Sequence, residues 1–245
     1  MSDAPVLVET HNLGVQFGGL KAIDNVNFRL TEGELRCLIG PNGAGKTTFF
    51  RLLTGVHQPT RGSVVIGGRS IRGMQTHDIA QLGVGIKTQI PSLFENLSVR
   101  ENVWLSARRH NKKSVADDIV AGVLEDIGLA ERSDQEVGKL SHGERQWVEL
   151  GVVIAENPKL ILLDEPAAGM TGEEVKKTAE LIKRINGRCA IIVVEHDMAF
   201  IKMIAKTVTV FNRGAVLMED TVAKVMTDQR VRDVYLGKHS HGDDR

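Results

Sequence analysis

The chain has 245 residues, enough for one large domain or a core with an inserted subdomain, and its 31 basic and 31 acidic residues cancel. That balance removes any global electrostatic case for nucleic acid or an anionic membrane surface as a partner. Two cysteines, Cys37 and Cys189, both in apolar runs, read as small buried residues of a reducing compartment; no metal-spaced Cys/His cluster, no secretory leader and no apolar run near the roughly 20 residues of a membrane helix is visible.

The first thirty-odd residues read as antiparallel β structure, with candidate strands at 6–8 and 14–17 and a turn at Gly18-Gly19. Val26, Phe28 and Leu30 alternate with Asn27 and Arg29, the period of a half-buried strand. Aromatic residues are scarce, so Phe17 beside the Gly-Gly turn is a candidate for stacking on an adenine ring; a core or edge-strand Phe is the alternative.

The stretch Leu-Arg-Cys-Leu-Ile at 35–39 reads as a buried strand. It leads into Gly40, Pro41, Asn42, Gly43, Ala44, Gly45, Lys46, Thr47 and Thr48. This stretch fits G-x-x-x-x-G-K-[ST], a loop that wraps nucleotide phosphates. Its glycines let successive backbone N–H groups converge on one anion, Lys46 adds a point charge, and the Thr47 hydroxyl can meet Mg²⁺. A helix over 47–54 would aim its positive end at the phosphates. The competing reading, a Gly-rich turn, leaves strand, helix and Lys-Thr unexplained. Gly55 and Pro59 then break the pattern, and 62–66 with 69–71 read as a hairpin about Gly67-Gly68.

From about Thr88 the spacing turns helical, with helices at 99–109 and 115–127, the second stopped by Gly128. We read 88–157 as an inserted helical subdomain, 1–87 with 158–237 as the nucleotide-binding core, and 238–245 as a frayed tail. Ser141 followed by Glu144 is a capping box that opens the last inserted helix. The Ser-x-Gly start could also present N–H groups to an anion; a cap and nothing more is the plainer reading.

Residues 160–163 form a short apolar run ending in Asp164-Glu165, as expected of a strand in a parallel sheet whose carboxyl end meets ligands. Asp164 fits a Mg²⁺ ligand and Glu165 fits a group that positions or deprotonates water. Thr171 to Glu174 is a second capping box, before a helix ending at Gly187. Another buried run, 189–194, ends in Glu195-His196-Asp197; His196 would lie on the same edge, although a lone His is more often structural. Runs at 208–211 and 215–218 make a further hairpin, and 222–236 reads as one helix.

Taken in order, 40–48, Gln89, Leu140-Ser141-His142-Gly143-Glu144, 160–165 and His196 resemble the ATP-binding subunit of an ABC transporter: its Walker A, Q-loop, signature, Walker B and H-loop motifs. The resemblance covers nearly the whole chain. Phe17-Gly18-Gly19-Leu20-Lys21-Ala22, Glu165-Pro166-Ala167-Ala168-Gly169-Met170-Thr171 and Val234-Tyr235-Leu236-Gly237 resemble the branched-chain amino acid and urea uptake group. Gly33-Glu34-Leu35-Arg36-Cys37, Leu140-Ser141-His142-Gly143 with Gln146-Trp147, and Ala168-Gly169-Met170-Thr171 are most similar to the urea-transport subunit. Three residues depart from the general pattern: His142 replaces a glycine, Thr171 an Asp, and Thr88 an aromatic.

The resemblance implies an α/β fold of P-loop NTPase type: a mixed, mainly parallel sheet, an N-terminal antiparallel β part and an inserted helical part. It implies ATP and Mg²⁺ as cofactors, Thr47, Gln89 and Asp164 at the metal, and Glu165, Gln89 and His196 in hydrolysis. Ser141, Gly143 and Glu144 would complete the site of a second ATP-binding subunit packed head to tail. The remaining partners would be a membrane permease on whose cytoplasmic face the chain sits, with a solute-binding protein indirectly, and no nucleic acid. Urea uptake is the expected role; branched-chain amino acid import, lipopolysaccharide export and a soluble ATPase acting on nucleic acid or the ribosome are the alternatives.

Overall fold

The computed structural model describes residues 4–87 and 93–236. Two sheets organise it. The first is antiparallel and has the order β2-β1-β4-β5, from β1 (Val6–Phe17), β2 (Leu20–Thr31), β4 (Arg61–Ile66) and β5 (Arg69–Ser70). The two short strands expected before Gly18 are one long strand. It continues through 9–13 with register shifts, because Thr10 fills the irregularity: its hydroxyl donates to the Val26 carbonyl (3.0 Å) and accepts from the Phe28 N–H (2.9 Å). Val26, Phe28 and Leu30 are buried as their alternation predicts.

The second sheet has six strands in the order β10-β9-β3-β8-β7-β6. These are β3 (Leu35–Ile39), β6 (Val84–Lys87), β7 (Leu160–Asp164), β8 (Ala190–Val194), β9 (Thr207–Asn212) and β10 (Ala215–Thr221). All its neighbouring pairs are parallel except β9 with β10. β3 and β8 are buried along their whole length; β8 accordingly reads as an unbroken apolar run, and the one charged residue of β3, Arg36, is paired with Glu34 and Glu219.

Parity divides the core in two. Cys37, Ile161, Leu163, Ile191 and Val193 face one way, toward Val103, Val148, Ile182 and Phe200 of the helices. Leu38, Leu160, Leu162, Ile192 and Val194 face the other way, toward Phe49, Leu53 and the apolar face of the antiparallel sheet. A one-residue slip in any of these strands would exchange the two cores, so register is fixed by packing on both sides. Truncating Ile192 to Ala at this depth costs about 2–5 kcal/mol.

Helix α1 (Lys46–Leu53) follows β3 directly. Between β6 and β7 lie α3 (Val99–Arg108), α4 (Lys113–Ile127) and α5 (His142–Ile154), with two short 3-10 turns before α5. Gly128 ends α4 in a left-handed conformation, as its position predicts. The capping boxes at Ser141 and Thr171 both form, the latter starting α6 (Gly172–Asn186), and Gly187 follows its last turn. Three elements escaped the sequence reading: α2 (Thr76–Gln81), which buries only Ile79 and is too short to show a period, β6, four residues at the sheet's edge, and the seven-residue helix α7 (Met198–Ile204). The single helix expected over 222–236 is α8 (Val222–Thr227) and α9 (Gln229–Leu236), because Asp228 is extended and its carboxylate accepts from the Arg230 N–H at 2.9 Å. α7 (Met198–Ile204) follows β8, its first N–H groups bonded by Asp197. The tail over 238–245 and the Thr88 departure lie outside the described residues.

One buried ion pair ties these layers together. Lys87, the last residue of β6, reaches Glu149 of α5 at 3.3 Å with both side chains within 5% of full burial. Burial pushes the Lys87 ammonium below its ordinary pKa and Glu149 holds it up.

Candidate phosphate and catalytic site

Adjacent strands β3, β8 and β7 end side by side, with Leu38 level with Val194 and Val194 level with Asp164. The loop after β3, His196 after β8 and the acids after β7 therefore meet at one sheet edge. β6 is the next strand across, its Lys87 level with Leu163. Gln89, two residues beyond it, lies outside the described residues.

The loop's backbone accounts for its sequence. Gly40 has φ of 149° and a Cβ there would collide with the Phe211 carbonyl. Gly45, the N-cap of α1, has φ of 105°, and a Cβ would stand 2.8 Å from the Ala22 carbonyl. No side chain caps α1 and its first turn holds no acid, so its N–H groups face outward unneutralised. The Lys46 ammonium is folded over the loop, donating to the Gly40 carbonyl (2.6 Å) and the Pro41 carbonyl (3.0 Å). Partial burial lowers its pKa, while Glu165 and Asp164 pull the other way.

A cleft of about 520 Å³ joins Asn42, Gly43, Ala44, Gly45, Lys46, Thr47 and Thr48 to Asp164 and Glu165. Phe17, Lys21, Ala22 and Arg213 also line it. Phe17 is 44% exposed there and stands edge-on to His57, with ring centroids 5.0 Å apart. A flat apolar face beside the phosphate loop suits a base, and the arrangement as a whole suits a nucleotide polyphosphate. Two hollows at the opposite end of the sheet, against Pro158, contain none of these residues.

Desolvation raises the pKa of Asp164, Glu165 adds to the rise, and Lys87, Lys46 and Arg51 offset it. Two acids held together in a half-buried cleft beside a hydroxyl fit a divalent cation. No cluster of three or more His, Cys, Asp or Glu side chains able to hold a metal occurs among the described residues.

Glu165 carries a feature that the sequence did not announce: its φ is +47°, a left-handed conformation rare for a side-chain-bearing residue. Its N–H is held by the Val194 carbonyl at 2.9 Å, and its Oε1 is 3.3 Å from Nδ1 of His196. His196 is in turn flanked by Glu195, with Nδ1 3.5 Å from Oε2. Glu195 was missed by the sequence reading. Its carboxylate is buried, accepts from the His196 N–H at 2.8 Å, and is pushed up in pKa chiefly by desolvation. An acid closing a wholly apolar strand next to His196 was the available signal.

Ser141, Gly143 and Glu144 occupy the start of α5, not the cleft. The Glu144 carboxylate turns back to accept from the Ser141 N–H (3.0 Å) and pairs with Arg132 (2.7 Å), so its contribution is to hold the cap. His142 Nε2 lies 3.1 Å from the Ala168 carbonyl in the loop after β7.

Comparison with known proteins agrees with this geometry. The family model described as ABC transporter matches residues 23–168. The branched-chain amino acid transport ATP-binding protein BraF of Pseudomonas aeruginosa is 32% identical, over 95% of this chain and 98% of its own length. LivG of Salmonella typhimurium, of the same description, is 34% identical at the same coverage. The lipopolysaccharide export ATP-binding protein LptB of Haemophilus influenzae is 30% identical over 95% of this chain and 98% of its own. Among solved structures, the ADP conformation of an ATP-binding cassette of an ABC transporter superposes with a TM-score of 0.85. It covers 96% of this chain and 100% of its own at 24% identity, a likeness of fold.

Proposed function

This chain belongs to the ABC transporter family as an ATP-binding ATPase subunit, and on that premise we propose that it powers import of branched-chain amino acids through a membrane permease. The observation that carries the ATPase chemistry is the meeting of the phosphate loop, Asp164–Glu165 and His196 at the ends of three neighbouring strands. The solute follows from BraF and LivG, whose names specify it. Urea, favoured by the motif resemblances, becomes the second reading: no relative described above is named for it, and only those motif resemblances speak for it.

Each side chain then has a task. Loop amides and Lys46 take the phosphates, and Phe17 stacks on the adenine. Thr47 and Asp164, with Gln89, hold Mg²⁺, which neutralises charge on the phosphate oxygens when bound. Glu165 orients and deprotonates the attacking water; it follows the strand end in a left-handed conformation and lines the cleft. His196, flanked by Glu165 and Glu195, contacts the terminal phosphate. Ser141 and Gly143 meet the terminal phosphate held by a second subunit, so two copies, or this chain and a homologous partner, close head to tail around ATP. The subunit sits at the membrane's cytoplasmic face by binding the permease: among the described residues no helix is long and apolar enough to cross. The exposed Phe94, on a loop whose backbone Asn102 clasps, belongs to the permease-facing surface. A solute-binding protein acts on it only indirectly, and nucleic acid is not a partner.

Uptake of labelled leucine and labelled urea in cells lacking this protein separates the solutes. Loss of leucine uptake with urea uptake intact is expected. Loss of urea uptake alone would reverse the assignment, and loss of neither would reopen lipopolysaccharide export, the role named for LptB.

A further inference from the structure

The start of α5 already has an anion on it. The hydroxyl of Ser141 donates to Oε1 of Glu174 at 3.2 Å. The same carboxylate is packed so closely on Gly143 that a Cβ there would overlap it. Its other oxygen, Oε2, accepts from the Thr171 N–H (2.9 Å) and the Thr171 hydroxyl (3.0 Å), closing the cap of α6. Glu174 thus spans two helix starts with one carboxylate. Those Thr171 bonds hold its pKa below the ordinary range, so it is ionised at neutral pH.

Next to it, His142 Nε2 meets the Ala168 carbonyl and lies against Gly169. A carbonyl can only accept, so Nε2 carries the proton. The start of α5 is therefore held twice within one chain, by α6 through Glu174 and by the loop after β7 through Ala168.

We propose that Glu174 is a positioning residue that stands in for phosphate at Ser141 and Gly143, so that ATP on the opposing subunit must displace it before the dimer closes. The inference rests on the reading above, in which those two residues meet a terminal phosphate. The Ser141 hydroxyl has one proton to give; donated to Glu174, it is withheld from phosphate. A carboxylate against the Gly143 backbone also repels an incoming polyphosphate. Release is local, since Oε2 can keep its bonds to Thr171 while Oε1 swings out. Glu174 thereby sets the nucleotide concentration at which closure occurs.

Glu174→Gln removes the charge and keeps the capping box, because Gln serves at that position. In a Glu165→Gln background, ATP-driven dimerisation is followed by light scattering against ATP concentration. Adding Glu174→Gln is expected to lower the midpoint by roughly three- to tenfold. The gap between the two proteins should shrink in about 0.5 M salt, where exposed charges are screened. ADP affinity of the monomer, which uses the cleft alone, should not change. An unchanged or higher midpoint would overturn the inference while leaving the site reading intact. Failure of Glu165→Gln alone to dimerise would overturn both.

Discussion

On the function proposed above, two helices in this molecule point their N-termini at anion sites, and they are prepared in opposite ways. α1 begins at Gly45, has no side-chain cap and no acid in its first turn, and is overlaid by Lys46. α5 begins at Ser141, has a complete capping box, and has Glu144 and Glu174 beside its first amides. The first terminus is left uncapped and the second is satisfied within the chain. An uncapped terminus binds an anion by adding bonds, whereas a satisfied one must exchange them. On our account nucleotide therefore binds first at α1, and contact with α5 of the opposing subunit follows as a competition.

The sharpest way to break this account lies between the two termini, at Glu165. Glu165→Gln should reduce ATP turnover by at least about 10³-fold, a loss of roughly 4 kcal/mol in barrier lowering, with ATP affinity retained. Steady-state phosphate release and equilibrium nucleotide binding measure the two halves; near-normal turnover would remove Glu165 from the chemistry. At the first terminus, Lys46→Ala should weaken ATP binding by about 10–100-fold while nucleotide-free melting barely moves. Unchanged affinity in a titration would mean that this loop is not the cradle.

At the second terminus the same kind of truncation should act on stability as well. Ser141→Ala removes a helix cap worth about 1 kcal/mol, a fall of roughly 2–4 °C in Tm for a chain of this size. It should also lower turnover without changing monomer affinity for ADP. A variant that lost ADP affinity would collapse the distinction between the termini.

The smallest effect is expected at Asp164, through pH. Its folded-state pKa is raised, chiefly by desolvation, so its charge costs stability once pH exceeds the ordinary carboxylate value. That cost grows until pH passes the raised value, and below both values it vanishes. Asp164→Asn should therefore melt about 1–3 °C above the parent at pH 7 without nucleotide, the gap closing as pH falls through the carboxylate range. A variant less stable than the parent at pH 7 would show that the charge is compensated.

What could be read in advance follows the range of the interactions. The phosphate loop, both capping boxes and the apolar strands are local patterns, and each appears where its residues predict. The left-handed Glu165 is not legible, since a conformation forced by neighbours leaves no signature in its own sequence. Nor is the contact of Ser141 with Glu174, which joins residues 33 apart. Thr171–Glu174 was visible as a cap, but its second duty depends on how α5 packs against α6. β6, α2 and α7 stayed hidden because four to seven residues are too few to establish a period. The solute rests on likeness alone.

The central claim is that the site is complete only between two chains. Light scattering of the Glu165→Gln protein with and without MgATP tests it most directly. The account predicts a shift from 26.8 kDa to twice that mass with ATP, reversed by Ser141→Arg, which keeps the cleft but blocks the opposing phosphate. A protein that binds ATP tightly and remains at 26.8 kDa would contradict it.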